Sequence, residues 1–174
     1  MSAADWREDR IGSAIDGRNP TVLAELTAAF AVIGDSQFLP GYCLALTKTP
    51  GVDRLSDLDR CARLAFLSDV DLLASAVETV CSAVDSAFRR VNIEILGNTH
   101  PMLHAHVWPR YEWEPHDAVG MPVWCYPRER WSDPASVLSS DHDELRSALR
   151  VEITRLDTAD RAASGDRSAG MGSC

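Results

Sequence analysis

The chain contains 174 residues, of which 26 are acidic and 17 are lysine or arginine, so its formal net charge at pH 7 is −9. This length fits one domain with a sizeable hydrophobic core, since about 100 to 200 residues per domain is usual. The acidic balance argues against a nucleic-acid polymer as partner, because such binding depends on clustered lysine and arginine. A small nucleotide is still compatible, because a few local hydrogen-bond donors suffice to hold it.

Sequence signals for a membrane or secreted protein are missing. No apolar run approaches the roughly 18 residues of a membrane span, and the start of the chain has no signal-peptide pattern. The five cysteines are scattered without CxxC spacing. We therefore expect reduced thiols, no membrane partner and a cytoplasmic location.

The first part of the chain predicts a short helix followed by three strands. Residues 1–18 are polar and form an N-terminal extension, in which we expect a helix from about Asp5 to Ile15 that ends at Gly17. Residues 22–26, 30–33 and 42–47 have the composition of strands. Residues 35–41 contain Asp35 and other turn formers, so they connect the last two strands.

A long helix is predicted next. Ser56 and Asp59 resemble a capping box at its start, and the helical pattern reaches about Arg89, with a break at Ser68 as an alternative. One face of this helix is expected to pack on the sheet, because apolar residues recur on it at helical spacing: Leu73, Val77, Val80, Val84 and Phe88.

Residues 92–110, NIEILGNTHPMLHAHVWPR, contain the chemically distinctive part of the sequence. Asn92 begins a short alternating strand, and Gly97 and Pro101 then break the pattern. The next strand alternates again, so that its two histidines, His104 and His106, share one face. The loop between these strands offers free backbone N–H groups, which suit a phosphate.

The spacing of His104 and His106 allows both rings to touch one substrate group, because a rise of about 3.3 Å per residue places them roughly 6 to 7 Å apart. Three interpretations follow from the residues alone. The pair is a nucleophile with its partner, a structural pair, or half of a metal site that His100 or His116 completes.

The rest of the chain predicts a loop and a last helix. Residues 111–140 are rich in tryptophan and proline and are expected to wrap around the site, with residues 127–134 closing over it. Trp113 and Trp124 either stack on a base or pack structurally. Ser140 or Asp141 caps the last helix, whose apolar face contains Leu145, Leu149 and Ile153. Residues 159–174 are small and polar, so we expect a disordered tail after a domain of residues 19–158.

The stretch from Asn92 to Arg110 resembles the histidine triad (HIT) superfamily, in the dinucleoside polyphosphate hydrolase-like branch. The similarity lies in an Asn-led strand, a Gly-Asn loop, a proline, His-x-His, and a Pro-Arg pair after two further residues. Placing Pro109 and Arg110 on that Pro-Arg pair makes His106 the third histidine and His104 the middle one. Met102 then occupies the position of the first histidine.

The resemblance implies roles for particular residues. His104 is the nucleophile that attacks the α-phosphorus, and His106 assists at the phosphate. Asp35 either holds the ribose hydroxyls or simply caps a turn. Asn98 is expected to contact the phosphate or leaving group. The family position of Asn92 adds it to the substrate-binding set.

Two further residues are candidates for substrate binding. His100 lies outside the triad and is expected to donate a proton to a leaving group. Arg110 has the family's Pro-Arg position and either contacts a phosphate or forms a structural ion pair.

The resemblance also implies a fold and an activity. We expect an α+β fold in which an antiparallel sheet of about five strands carries the long helix and the C-terminal helix. The expected activity is that of a nucleotide hydrolase or nucleotidyl transferase acting at the α-phosphate of a dinucleoside polyphosphate, phosphoramidate or nucleotide sugar. It proceeds through a nucleotidyl-histidine without a cofactor, in a homodimer. The alternatives are a metal-dependent enzyme and a nucleotide-binding module that lost catalysis with the change to Met102.

Overall fold

The structure is a computed structural model that describes residues 5–167, with side chains as far as residue 163. Its centre is an antiparallel five-stranded sheet with strand order β1-β2-β3-β5-β4. The strands are β1 (Val22–Glu25), β2 (Ala29–Ile33), β3 (Cys43–Thr47), β4 (Phe88–Glu94) and β5 (His104–Tyr111). The helices are α1 (Arg10–Ile15), α2 (Arg60–Val84), α3 (Arg128–Trp131) and α4 (Asp143–Arg167). The predicted α+β fold, with the long helix and the C-terminal helix beside the sheet, is confirmed.

The two faces of the sheet have different partners. On one face, Ala105 and Val107 of β5 are fully buried in a core that includes Leu73 and Val77 of α2. On the other face, His104 and His106 lie opposite Leu46 and Leu44 of β3 in the strand register. The period-two alternation of β5 therefore separates the core face from a face that we call the histidine face.

Helix α1 packs on the histidine face, whereas α2 packs on the opposite one. Ala14 of α1 belongs to a small apolar cluster with Phe30, Val32 and Leu46. The helix begins after Asp9, whose carboxylate accepts a hydrogen bond from the Gly12 N–H at 2.8 Å. The predicted start at Asp5 was therefore too early.

Helix α2 begins later than the capping box at Ser56 predicts, because Asp59 and not Ser56 is its N-cap, and it also ends earlier. The Asp59 carboxylate accepts from the Ala62 N–H at 2.9 Å, and the helix runs without a break past Ser68. The helix ends at Val84, so its predicted extension to Arg89 is wrong. Phe88 lies in β4 instead, opposite Tyr111 of β5, because strand pairing outweighs the helical spacing of a single aromatic residue.

A buried carboxylate at the middle of α2 connects this helix to the sheet. Asp69 is 5% exposed and accepts hydrogen bonds from the N–H groups of Ala28 and Ala29 at 2.6 and 2.8 Å. Burial raises the pKa of this carboxyl, and the two backbone donors oppose that change. Asp69 thereby provides the hydrogen-bond acceptor for two backbone N–H groups where the chain turns from β1 into β2.

Helix α4 continues further than predicted. Leu149 and Ile153 are fully buried on its inner face, and the Arg150 guanidinium donates to the Val22 carbonyl of β1 at 2.9 Å. The helix reaches Arg167, so the disorder predicted from residue 159 is wrong as far as that residue, because the helix propagates beyond its packed half. Residues 168–174 of the predicted tail lie outside the described residues.

Within residues 5–167, no helix combines the length and the apolar composition that crossing a bilayer requires. Cys43, Cys81 and Cys125 are free thiols, as predicted for them. Cys61 is not among the free thiols, and Cys174 lies outside the described residues.

Candidate functional site

The histidine face contains a cavity of about 550 Å³. Its floor consists of apolar side chains from the central strands β2 and β3, namely Val32, Leu44 and Leu46. Its walls come from α1, from the β2–β3 connection, from the β4–β5 loop and from the segment that follows β5: Arg10, Asp35, Ser36, Tyr42, Leu96, Asn98, Thr99, His100, Met102, Trp124 and Trp131. Both histidines of β5 line this cavity. An apolar floor with a few converging polar groups is typical of a small-molecule site.

A backbone contact shows which ring nitrogen of His104 carries the proton. Its Nδ1 lies 2.7 Å from the Met102 carbonyl oxygen. Because a carbonyl only accepts hydrogen bonds, Nδ1 carries the proton and Nε2 keeps its lone pair. Burial lowers the pKa of His104, and the nearby His100 and Arg10 act in the same direction. His104 is therefore a neutral imidazole whose free nitrogen is a nucleophile.

His106 has the opposite tautomer. Its Nδ1 lies 2.7 Å from the Tyr42 hydroxyl oxygen. Burial raises the pKa of Tyr42, so the phenol keeps its proton and has it to donate. We assign this proton to the contact with Nδ1, which puts the His106 proton on Nε2. Burial first, and then His104, lower the pKa of His106 to about 3. His106 is therefore a neutral hydrogen-bond donor beside the nucleophile.

The two imidazoles are close enough to act on one group. Their ring centroids lie 4.7 Å apart and the ring planes are inclined by 73°. Tyr42 is fixed by stacking on Trp108, with centroids 3.5 Å apart and planes 6° apart. Tyr42 was missed by the sequence reasoning. Its position directly before β3 follows from the sequence, but its contact with His106 depends on the pairing of β3 with β5.

Asp35 lines the cavity and is ion-paired. The Arg10 guanidinium contacts its two carboxylate oxygens, with Nη2–Oδ2 at 2.5 Å and Nη1–Oδ1 at 3.4 Å. Arg7 lies 3.7 Å from the same carboxylate. The sequence had no signal for Arg10, since it comes from the N-terminal extension.

The β4–β5 loop places two of the predicted residues at the cavity. Asn98 and His100 both line it. Asn92 does not, because it lies on the edge strand β4 opposite Trp108, beyond the cavity lining. The expected substrate contact of Asn92 has no support in this placement.

Arg110 has a structural position, which corrects the expected phosphate contact. Its guanidinium is 2% exposed and its Nε lies 3.0 Å from both oxygens of Glu114. Its Nη atoms donate to the carbonyls of Ala118, Val119 and Met121 at 3.0 to 3.2 Å. Tyr126 also donates to Glu114. This network ties the segment after β5 to the sheet, and it leaves no guanidinium nitrogen for a substrate.

The tryptophans of the segment after β5 divide into two groups. Trp113 lies away from the cavity, stacked on Tyr111 and donating from Nε1 to Asp85 at 2.9 Å, so its role is packing. Trp124 lines the cavity with its ring at 78° to that of His106 and 4.9 Å away. Trp131 of α3 stacks on Trp124 at 4.8 Å, so the predicted closing segment does reach the site.

The alternative metal interpretation needs a third ligand near the histidine pair. Among residues 5–167, no three histidine, cysteine, aspartate or glutamate side chains are grouped so that they can hold a metal ion. His100 lines the cavity, whereas His116 is exposed and lies outside it.

Comparisons with known proteins agree on the family. No curated protein matches the chain. A histidine triad protein from Bradyrhizobium japonicum has 21% identity and a TM-score of 0.63, over 76% of this chain and 89% of that one. A hypothetical histidine triad nucleotide-binding protein from Sulfolobus tokodaii strain7 has 16% identity and a TM-score of 0.60, over 84% and 93%. A Zn-bound histidine triad family protein from Mycobacterium smegmatis has 20% identity and a TM-score of 0.58, over 84% and 94%.

These structural similarities, at such identities, show the fold. The family itself is shown by the HIT domain model, which matches residues 18–113 and thus more than half of the chain. The matched part contains the histidine pair of β5 and the floor of the cavity. The chain belongs to the HIT family, within a superfamily of nucleotide-binding hydrolases and transferases.

Proposed function

We propose that this protein is a nucleotide hydrolase or nucleotidyl transferase that acts at the α-phosphate of a nucleoside derivative. The substrate class comprises dinucleoside polyphosphates, nucleoside phosphoramidates and nucleotide sugars. The observation that carries the proposal is the pair of neutral imidazoles with opposite tautomers in one cavity, His104 with a free Nε2 lone pair and His106 with an Nε2 proton.

Covalent catalysis by His104 follows from this arrangement. Its Nε2 attacks the α-phosphorus, the new N–P bond forms, and the bond from phosphorus to the leaving group breaks. The leaving group departs with the electron pair and takes a proton from His100. Water then attacks the phosphorus and gives a proton to His100, the N–P bond breaks, and the electron pair returns to Nε2.

The positive charge on His104 in the intermediate is stabilised by the backbone. The Nδ1 proton remains directed at the Met102 carbonyl, which accepts the stronger hydrogen bond of the cationic ring. His106 donates its Nε2 proton to a phosphoryl oxygen as negative charge develops there. The backbone contact thus stabilises the positive charge on His104, and the His106 side chain stabilises the negative charge on the phosphoryl oxygen.

The change at the first triad position leaves this function intact. The group that orients His104 is the backbone carbonyl of Met102, which every residue at this position provides. The Met102 side chain only lines the cavity. A Met102→His variant is therefore expected to keep the nucleophile and to change turnover by less than about tenfold.

The remaining cavity residues are proposed to bind the nucleoside. The apolar floor of Val32, Leu44 and Leu46 suits a base, and Asp35 accepts hydrogen bonds from the ribose hydroxyls. Asn98 contacts the phosphate from the β4–β5 loop.

The direct test is turnover of the three substrate classes by the wild-type protein and by His104→Ala. Binding of nucleoside monophosphates should persist in the variant, while turnover falls at least about a thousandfold because the covalent nucleophile is lost. Wild-type protein quenched with denaturant at alkaline pH, where a histidine N–P bond survives, should carry one nucleotidyl group on His104 by mass spectrometry. The control is His116→Ala, which removes an exposed histidine outside the cavity. Retained turnover in His104→Ala would contradict the mechanism, and binding without turnover in the wild type would indicate the nucleotide-binding module.

We also propose a homodimeric, cytoplasmic protein, as expected from the family. Size-exclusion chromatography with light scattering should then give twice the mass of one chain. A monomeric mass at micromolar concentration would contradict the dimer, and recovery in the membrane fraction would contradict the location.

A further inference from the structure

The N-terminal extension forms one wall of the candidate nucleotide site. The HIT domain match begins at residue 18, so α1 lies outside the matched region. Nevertheless α1 packs on the histidine face, where Ala14 contacts the same apolar cluster that provides Val32 and Leu46 to the cavity floor.

Helix α1 is held firmly, which fixes the position of Arg10. The side chains of Ile11 and Ala14, both in this helix, are buried. The Asn19 side chain donates to the Arg10 carbonyl at 3.2 Å, and the Ser13 hydroxyl contacts the same carbonyl at 3.1 Å. Arg10 therefore enters the cavity wall from an anchored backbone.

Arg10 is the only arginine or lysine among the cavity-lining side chains in the described part of the chain. Its side chain is 23% exposed, and it makes a two-pronged contact with the Asp35 carboxylate. A guanidinium has five N–H donors, so this contact leaves others for a ligand. Since Arg110 is engaged in its buried network, Arg10 is the cation available to an anionic ligand.

We infer that Arg10 is a nucleotide-binding residue, which balances the charge of Asp35 and contacts the phosphate of the bound nucleotide. This inference rests on the proposed function. Without Arg10, the Asp35 carboxylate keeps only its ion pair with the more exposed Arg7 at 3.7 Å. It then presents a less compensated negative charge to a phosphate in the same cavity, in a protein whose net charge is −9. With Arg10, the pair is neutral overall and accepts a nucleotide as well as the uncharged nucleoside.

The test compares ligands that share a nucleoside and differ in the number of phosphate groups. Calorimetric affinities are measured for adenosine, AMP and ADP, and for the guanosine series, with the wild type, Arg10→Ala and Arg10→Lys. Arg10→Ala should weaken monophosphate binding roughly 10- to 100-fold, as expected for a charged hydrogen bond, and diphosphate binding at least as much. Nucleoside binding should change less than about threefold, and Arg10→Lys should recover part of the loss because it keeps the charge.

The control and the double variant separate this role from general damage. Arg18→Ala removes an arginine with a 50% exposed side chain that does not line the cavity, and it should leave all affinities within about threefold of the wild type. Adding Asp35→Asn to Arg10→Ala should restore part of the ratio of monophosphate to nucleoside affinity, because it removes the carboxylate charge. The proposed ribose contact of Asp35 affects both ligands and cancels in this ratio. Thermal unfolding of each variant verifies that the fold is kept.

Two results would overturn the inference in distinguishable ways. Wild-type protein that binds none of the nucleotides removes the proposed function and this role with it. Wild-type protein that binds nucleotides, together with an Arg10→Ala variant that binds them equally well or loses nucleoside and nucleotide affinity by the same factor, leaves the proposed function standing and refutes Arg10 alone.

Discussion

The buried histidine His106 makes a specific contribution to the pH dependence of stability. His106 is 5% exposed. Burial is the main cause that lowers its pKa to about 3, and the neighbouring His104 adds to the change. In the unfolded chain the same imidazole has a pKa of about 6.5. At a pH below about 6.5, the imidazole binds a proton in the unfolded state but not in the folded state. The stabilisation is therefore complete above pH 6.5 and is lost progressively as the pH falls toward 3.

The size of this effect follows from the two pKa values. The free energy of unfolding that depends on His106 decreases by about 2 kcal/mol between pH 8 and pH 5, and by about 5 kcal/mol once the pH is below 3. Equilibrium unfolding in urea at pH 8 and pH 5 measures the first change. The matched variant is His106→Asn, which is neutral at both pH values and offers an oxygen to the Tyr42 hydroxyl.

The decisive quantity is the difference between pH 8 and pH 5 within each protein. Wild type and His106→Asn have the same carboxylates, so their common acid sensitivity cancels in the comparison. His106→Asn should lose about 2 kcal/mol less than the wild type on acidification. His116→Asn, which changes an exposed histidine, should behave as the wild type. Equal losses in the wild type and His106→Asn would refute the argument that His106 is held neutral by burial.

Three further substitutions test other parts of the structure by urea unfolding. Tyr42→Phe leaves His106 Nδ1 without its donor, so it should cost about 1 to 3 kcal/mol and lower turnover about tenfold or more as the Nε2 proton is lost to Nδ1. Glu114→Gln leaves the buried Arg110 charge unpaired and should cost about 3 to 5 kcal/mol. Asp69→Ala removes the acceptor of two backbone N–H groups and should cost about 2 kcal/mol or more.

The Glu114 and Asp69 substitutions each have a control close by in the chain. Glu112→Gln and Asp71→Ala change exposed carboxylates near Glu114 and on α2, and both should stay within about 0.5 kcal/mol of the wild type. A Tyr42→Phe protein with wild-type turnover would mean that the hydroxyl does not set the His106 tautomer. A Glu114 or Asp69 variant as stable as its control would contradict the assigned network.

Local patterns were sufficient for the strand that carries the histidines. Alternation along β5 predicts that His104 and His106 share a face opposite Ala105, because successive side chains of a strand point to opposite sides. The capping residue Asp59 is likewise a local signal, since its carboxylate bonds a backbone N–H three residues on. The family resemblance added Asp35 and Asn98, both of which line the cavity.

Other predictions failed where tertiary contacts outweighed the local pattern. Phe88 fits the helical spacing of α2, yet it lies in β4, because it pairs with Tyr111 on the neighbouring strand β5. Arg110 stands in a Pro-Arg pair that resembles a phosphate site, yet its donors are taken by Glu114 and by the carbonyls of the segment that follows.

The amino-acid sequence by itself determined which side chains of β5 share a face, that a long helix precedes the histidine region, and which family the histidine strand resembles, because these depend on neighbours within a few residues. Only the tertiary structure decided the state of the site. The hydroxyl that sets the tautomer of His106 comes from 64 residues away, and the guanidinium paired with Asp35 comes from 25 residues away. Hydrogen bonds and ion pairs act over a few ångströms in space, so a sheet register and a packed helix had to bring these groups together.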